Sequence, residues 1–288
     1  MTESCLKLGI IGAGIMGRQI AMVSALAGLN VILYSRTATT LEQAGQEIEA
    51  RLNQGVARAK YSAEIAALAK ARIQQTTRLE DAAHGRDFVI ESVSESITLK
   101  CEIFSQLDRL CPAATILASN TSSLSITELA ACTTRPDRVL GLHFFNPVYG
   151  MKLIEVVQGL ETSESTRAAA LALASLIGKE PVVLRDSPGF IASRINVLIG
   201  NEAFTMLEQN LASAEDIDKA LKLGLNHPMG PFELGDIIGL DVRLAVLQHL
   251  QRTLGEKYRP SPLLEQYVKA GRLGRKTGRG VYDYNSKP

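Results

Sequence analysis

Three glycines in the spacing Gly12-x-Gly14-x-x-Gly17 stand between an apolar run, K-L-G-I-I at 7–11, and a helix-period pattern at 15–26. No other feature constrains the fold as much. The first glycine permits a tight turn out of a strand, and the second lets backbone approach a pyrophosphate. The third allows close helix–strand packing, and the unpaired N–H groups of the helix start face the phosphates. Glycine-rich turns are common, so the weight lies in the flanks: a strand before, a helix after, and a second strand, N-V-I-L-Y-S, at 30–35. Together they predict a dinucleotide-binding βαβ unit.

The same alternation continues. Residues 41–72, rich in Ala, Glu and Arg, read as one or two helices, and strands are expected at 88–91, 115–119, 138–142, 153–157 and 181–184. This is the pattern of an α/β, Rossmann-type domain with a mostly parallel sheet. At R-D-S-P-G, 185–189, the pattern changes. Ser187 reads as a helix cap with Pro188 at the first helical position. Ile191, Ile195, Leu198, Ile199 and Met206 then recur near helical period, and Ser213-x-x-Asp216 reads as a capping-box start. Helical patterns run on through 241–254 and 262–270. The expected organisation is a dinucleotide-binding domain at 1–185 and an all-helical C-terminal domain at 186–288, consistent with 288 residues at about 150 per domain.

Composition narrows the function classes. Lys plus Arg number 31 against 30 Asp plus Glu, which gives no global electrostatic case for nucleic acid or an anionic membrane. No apolar run is long enough to span a bilayer, and the first strand begins too early for a leader, so a cytoplasmic protein is expected. Four irregularly spaced cysteines (Cys5, Cys101, Cys111, Cys132) without C-x-x-C read as reduced packing thiols. Four unpaired histidines give no metal motif, so no metal is expected.

The second strand ends Tyr34-Ser35-Arg36, where a ribose-binding site for NAD(H) would carry a carboxylate. Ser35 can hydrogen-bond a phosphate and Arg36 can pair with a 2′-phosphate, which favours NADP(H), with NAD(H) as the alternative. Polar groups gather at three further strand ends: S-N-T-S-S at 119–123, G-L-H-F-F-N-P at 141–147, and K-L-I-E-V-V at 152–157. His143 offers a base that titrates in the range needed to take a hydroxyl proton. Glu155 lies in an apolar strand, where a carboxylate is costly unless paired. An imidazole N–H would serve as its partner, although a structural histidine and an exposed-face glutamate remain the alternative reading.

These segments, with M-K-L-I-E-V-V, D-S-P-G-F-I, N-H-P-M-G-P-F-E-L-G-D and the tail G-R-K-T-G-R-G-V-Y-D-Y, resemble the short-chain L-3-hydroxyacyl-CoA dehydrogenase family from end to end. The resemblance implies His143 as catalytic base, Glu155 as its acidic partner and Ser122 as the contact to substrate oxygen. It implies that Asn146 lies on the nicotinamide side, that Glu95 and Lys100 line the cofactor, and that Arg51, Arg58 and Lys60 meet coenzyme A. It also implies an acyl-CoA substrate and a helical domain that closes over it and forms a homodimer. Two departures stand out. Ser193 in P-G-F-I-A-S-R occupies a position where such enzymes carry Asn, a longer polar reach, with Asn196 one turn later as a substitute. Ser35-Arg36 replaces their acid.

Three rivals differ in kind. A 6-phosphogluconate-type dehydrogenase would need a lysine on the first helix of the second domain, and 189–209 holds none. A gulonate-dehydrogenase or lambda-crystallin-like enzyme would take a sugar acid in place of a thioester. A non-catalytic cofactor-binding protein would bind without turnover.

Overall fold

Eight strands make one sheet: β1 (Lys7–Ile11), β2 (Asn30–Tyr34), β3 (Ile73–Thr76), β4 (Phe88–Glu91), β5 (Ile116–Ser119), β6 (Val139–Phe144), β7 (Leu153–Gln158) and β8 (Glu180–Arg185), in the order β3-β2-β1-β4-β5-β6-β7-β8. The computed structural model describes residues 6–285. It divides into two compact units, one through Ser187 and one from Pro188.

In the first unit β1 to β6 run parallel, β7 returns antiparallel to β6, and β8 lies parallel to β7. The crossovers are α1 (Ile15–Leu26), α2 (Ala38–Ala57), α3 (Ala63–Ala71), α4 (Leu79–Ala83), α5 (Ile97–Leu110), α6 (Ile126–Ala131) and α7 (Glu164–Leu176). Every residue of β4, β5 and β6 is buried. A parallel sheet covered on both faces requires this, and it is why these strands read as unbroken apolar runs. Strand β3 carries I-Q-Q-T at the sheet edge, half-buried or exposed, so no period marked it. Ser62, Ser96, Ser125 and Ser163 cap α3, α5, α6 and α7 through their hydroxyls, each contributing roughly 1 kcal/mol.

Two expectations are corrected here. The helix anticipated from Ser187-Pro188 starts only at Ala192, because Gly189 and Phe190 take φ of 74° and 50°. Left-handed residues cannot continue a right-handed turn. Cys101 and Cys132, read as reduced thiols, are joined as a disulfide with Cα atoms 5.5 Å apart. No spacing motif announces the pair; α5 and the end of α6 simply pack side by side. Cys111 is free and buried, and burial pushes its thiol up to about 11. Cys5 lies outside the described residues.

The second unit contains α8 (Ala192–Glu208), α9 (Ala214–Gly224), α10 (Pro231–Ile238), α11 (Leu240–Leu254) and α12 (Pro262–Lys269). Val197, Ala203 and Phe204 bury the inner side of α8, whereas Ile191 and Ile195 are exposed, so the apolar stripe read from the sequence is only partly a core face. No helix among the described residues is long and apolar enough to cross a membrane.

Two buried carboxylates organise this unit. Asp218 accepts the N–H groups of Phe232 (2.9 Å) and Glu233 (3.0 Å), which open α10, and the Tyr282 hydroxyl (2.8 Å). Asp236 accepts the N–H groups of Val281 and Tyr282 and the Tyr284 hydroxyl. Gly230 is required in the N-H-P-M-G-P turn, since a Cβ there would fall 2.1 Å from the Asp218 carboxyl carbon. Arg243 is 2% exposed, and burial lowers its guanidinium pKa to about 10 against the opposing charges of Asp218 and Asp236. Asp218→Ala would leave two N–H groups and a hydroxyl short of an acceptor and take one of the opposing charges away from the buried Arg243. The expected cost is about 3–5 kcal/mol, read as a fall in urea midpoint; a change within error would mean Asp218 is not the hub.

Candidate active site

The glycine turn has the geometry its sequence requires. Gly12 takes φ of 108°, and a Cβ there would fall 2.6 Å from the Ser92 carbonyl oxygen. At Gly17 a Cβ would come within 1.8 Å of the Gly12 carbonyl oxygen, so only glycine lets α1 pack this close. At Gly14, by contrast, a Cβ would meet nothing within 4 Å. The turn is open just where the helix start exposes its N–H groups, and it fits a pyrophosphate. Past β2, the Ser35 N–H bonds to the Thr76 carbonyl, while Arg36 is exposed and makes no ion pair among the described residues.

His143 and Glu155 face each other across the antiparallel β6–β7 pair, where they are direct register partners. Directly opposed residues point to the same face of a sheet, and here His143 Nδ1 lies 2.7 Å from Glu155 Oε2. Their side chains are 6% and 1% exposed. An ionised carboxylate only accepts, so it places the ring proton on Nδ1 and leaves Nε2 as the acceptor nitrogen. Ser122 Oγ is 3.0 Å from that Nε2. The ring of Phe145 packs on the imidazole at 4.4 Å between centroids.

A second polar cluster lies behind Ser122. Glu91, at the end of β4, receives two bonds from Lys100 Nζ (2.7 and 2.8 Å), one from Ser119 Oγ (2.6 Å) and one from the Val93 N–H (2.6 Å). Burial pushes the Glu91 carboxyl above its ordinary range, although these three donors oppose the shift. Glu95 accepts from Thr121 Oγ1 (2.5 Å), the Ser122 N–H (3.0 Å) and Ser123 Oγ (3.2 Å), with the Lys100 ammonium at 3.6 Å. Glu95 therefore pins the Ser122 loop. Lys100 has no exposed surface and holds Glu91 and Glu95 together. Asn120 completes the frame, its Oδ1 accepting the Phe144 N–H at 3.0 Å.

Asn146, exposed after β6, accepts a bond from Gln19 Nε2. Arg51, Arg58 and Lys60 do come together, around a cavity of about 400 Å³ also bordered by Tyr149 and Lys179. The Arg51 guanidinium sits 5.5 Å from the Tyr149 ring centroid. Lys179 turns its ammonium to the Val148 and Met151 carbonyls, and burial lowers its pKa. Ser193 and Asn196 are half-buried near the start of α8 in the second unit. Among the described residues no cluster of His, Cys, Asp or Glu could hold a metal. Nothing in the sequence marked Gln19 or Lys179, and Asn120 was visible only as part of the polar strand end S-N-T-S-S. Glu91 did carry a signal, a carboxylate closing the apolar strand F-V-I-E, the same oddity that distinguishes Glu155.

Comparison with known proteins gives matches over nearly the whole chain. Residues 7–187 match the family model for the 3-hydroxyacyl-CoA dehydrogenase NAD binding domain, and 189–284 match the C-terminal domain of the same family. The chain is 47% identical over 282 residues to a probable 3-hydroxybutyryl-CoA dehydrogenase of Bacillus subtilis, covering 98% of each. It is 45% identical over 281 residues to 3-hydroxybutyryl-CoA dehydrogenase of Clostridioides difficile, covering 97% of this chain and 100% of the other. The crystal structure of (S)-3-hydroxybutyryl-CoA dehydrogenase from Ralstonia eutropha superposes with a TM-score of 0.95 at 45% identity, covering 99% of this chain and 100% of that one.

The buried pair behind Ser122 makes its own prediction. Lys100→Met should lower stability by about 3–5 kcal/mol, because Glu91 is then sealed in without a counter-charge. Glu91→Leu combined with Lys100→Met should recover much of that loss in urea unfolding. A double variant as unstable as the single one would assign the loss to packing instead.

Proposed function

Since the chain belongs to the 3-hydroxyacyl-CoA dehydrogenase family, we propose that His143, Glu155 and Ser122 carry its reaction at C3 of an L-3-hydroxyacyl-CoA. The enzyme interconverts hydroxyl and ketone at that carbon with a nicotinamide dinucleotide, on short-chain substrates of the 3-hydroxybutyryl-CoA and acetoacetyl-CoA type. The observation that supports the assignment best is the line Glu155–His143–Ser122, with contacts of 2.7 and 3.0 Å.

In the oxidising direction His143 Nε2 takes the proton from the substrate hydroxyl, and Ser122 Oγ holds the same oxygen. Glu155 keeps the imidazole in the right tautomer and balances the imidazolium that forms. The dinucleotide supplies the hydride acceptor when bound. Gly12, Gly14 and Gly17 take its pyrophosphate, Glu95 lines the cofactor, and Asn146 lies on the nicotinamide side. Ser35 and Arg36 favour NADP(H) over NAD(H): a free guanidinium past β2 suits a 2′-phosphate. Arg51, Arg58 and Lys60 take the phosphates of coenzyme A at the cavity they border, and Ser193 offers the acyl end a short hydroxyl contact. The helical unit pairs two copies of the chain. Supporting that pairing, Ile191, Ile195, Ile237, Ile238 and Val242 are 41–54% exposed, an apolar surface that a second copy would cover.

His143→Ala should lower turnover of acetoacetyl-CoA by at least ~100-fold with folding intact; near-normal turnover would place the base elsewhere. Acetoacetyl-CoA reduction followed with NADPH and NADH in parallel should run faster with NADPH. A strong preference for NADH would remove the phosphate role of Ser35 and Arg36 while keeping the enzyme. Activity on free hydroxy acids in place of the thioester would remove the acyl-CoA assignment.

A further inference from the structure

Gln19 sits five residues past Gly14 on α1, and its carboxamide reaches the loop that follows β6. Oε1 accepts the Val148 backbone N–H at 2.7 Å, and Nε2 donates to Asn146 Oδ1 at 3.2 Å. A backbone N–H can only donate, so it decides which end of the Gln19 amide faces Val148. The amino end is thereby turned towards Asn146, where it can meet only the carbonyl oxygen. Nδ2 of Asn146 is left with no hydrogen bond to a described residue, on an exposed side chain.

We propose that Gln19 is a positioning residue that sets the amide polarity of Asn146, so that Asn146 presents N–H donors to the carboxamide oxygen of the nicotinamide. Left to itself an asparagine amide samples both orientations, since its terminal torsion is broad and roughly two-fold. The Val148–Gln19–Asn146 chain removes the wrong one before the ligand arrives, which lowers the ordering cost of binding. This inference rests on the reading of Asn146 as a nicotinamide-side contact.

The test is the affinity for reduced nicotinamide dinucleotide, measured by its fluorescence without acyl substrate. In Gln19→Glu one carboxylate oxygen still accepts the Val148 N–H, but the other now needs a donor. Asn146 must turn Nδ2 inward and Oδ1 outward. The dissociation constant should rise about 10-fold, the worth of one inverted hydrogen bond. Gln19→Ala leaves Asn146 free to turn and should cost less, about 3-fold. Asn146→Ala should weaken binding by itself, and adding Gln19→Glu to it should cost nothing more. A penalty of Gln19→Glu that persists beside Asn146→Ala would come from charge or loop distortion and would overturn the relay alone. So would a larger loss in Gln19→Ala than in Gln19→Glu, the order expected if Gln19 merely props the loop. An Asn146→Ala protein that binds normally would overturn the nicotinamide-side reading itself.

Discussion

A carboxylate sealed inside a protein must be met by donors, because an ionised oxygen without them is among the most costly groups to bury. Four such carboxylates set the structure. Glu155 and Glu91 lie in the sheet, each 1% exposed or less, and Asp218 and Asp236 lie in the helical unit, each 1% exposed. Each gathers groups from distant parts of the chain. Glu155 holds His143 from the neighbouring strand, and Glu91 holds Lys100 from α5 and Ser119 from β5. The two aspartates tie the start of α10 and the chain near Tyr282 to α9 and α10. In the sheet these anchors hold the groups around His143 and Ser122; in the helical unit they fix a turn that apolar packing alone would leave loose.

The loop after β6 is positioned in a different way. It is held from several sides by groups that are not its sequence neighbours: Asn120 on the Phe144 N–H, Gln19 on the Val148 N–H and the Asn146 side chain, and Lys179 on the Val148 and Met151 carbonyls. Backbone groups outside regular structure need partners as much as those within it. Here the partners come from α1, the end of β5 and the turn before β8. The glycine turn and this loop are therefore linked through α1, which starts at one and bonds to the other.

Legibility in the sequence followed the range of the interactions. The glycine turn could be read because the φ of Gly12 and the approach of Gly17 to the Gly12 carbonyl are set within six residues, although Gly12 also packs against distant Ser92. His143 and Glu155 could be read because a carboxylate between Ile154 and Val156 contradicts its apolar surroundings. Lys100 could not: a lysine four residues into a helix looks solvated, and only the fold puts it over Glu91. Cys101 and Cys132 were hidden for the same reason, 31 residues apart with no local pattern. The start of α8 failed on a local detail, since Ser187-Pro188 has good capping chemistry but is followed by two left-handed residues. Strand β3, at the sheet edge, lacked the burial that makes a pattern.

The reversal of direction at β7 has a consequence for how the chain reaches its working state. His143 meets Glu155 because the two are in register, and side chains alternate faces with every residue of a strand. A slip of one residue between β6 and β7 would keep the backbone ladder but turn Glu155 to the opposite side of the sheet, away from the imidazole. Both faces of β7 are buried over Ile154–Val157 and lined by aliphatic side chains of similar bulk, which discriminate weakly between registers. The ionic partnership does discriminate. The same pair that prepares the histidine thus acts as a checkpoint on strand alignment, and a misaligned chain would strand a charge in hydrocarbon before it could pass for a folded enzyme.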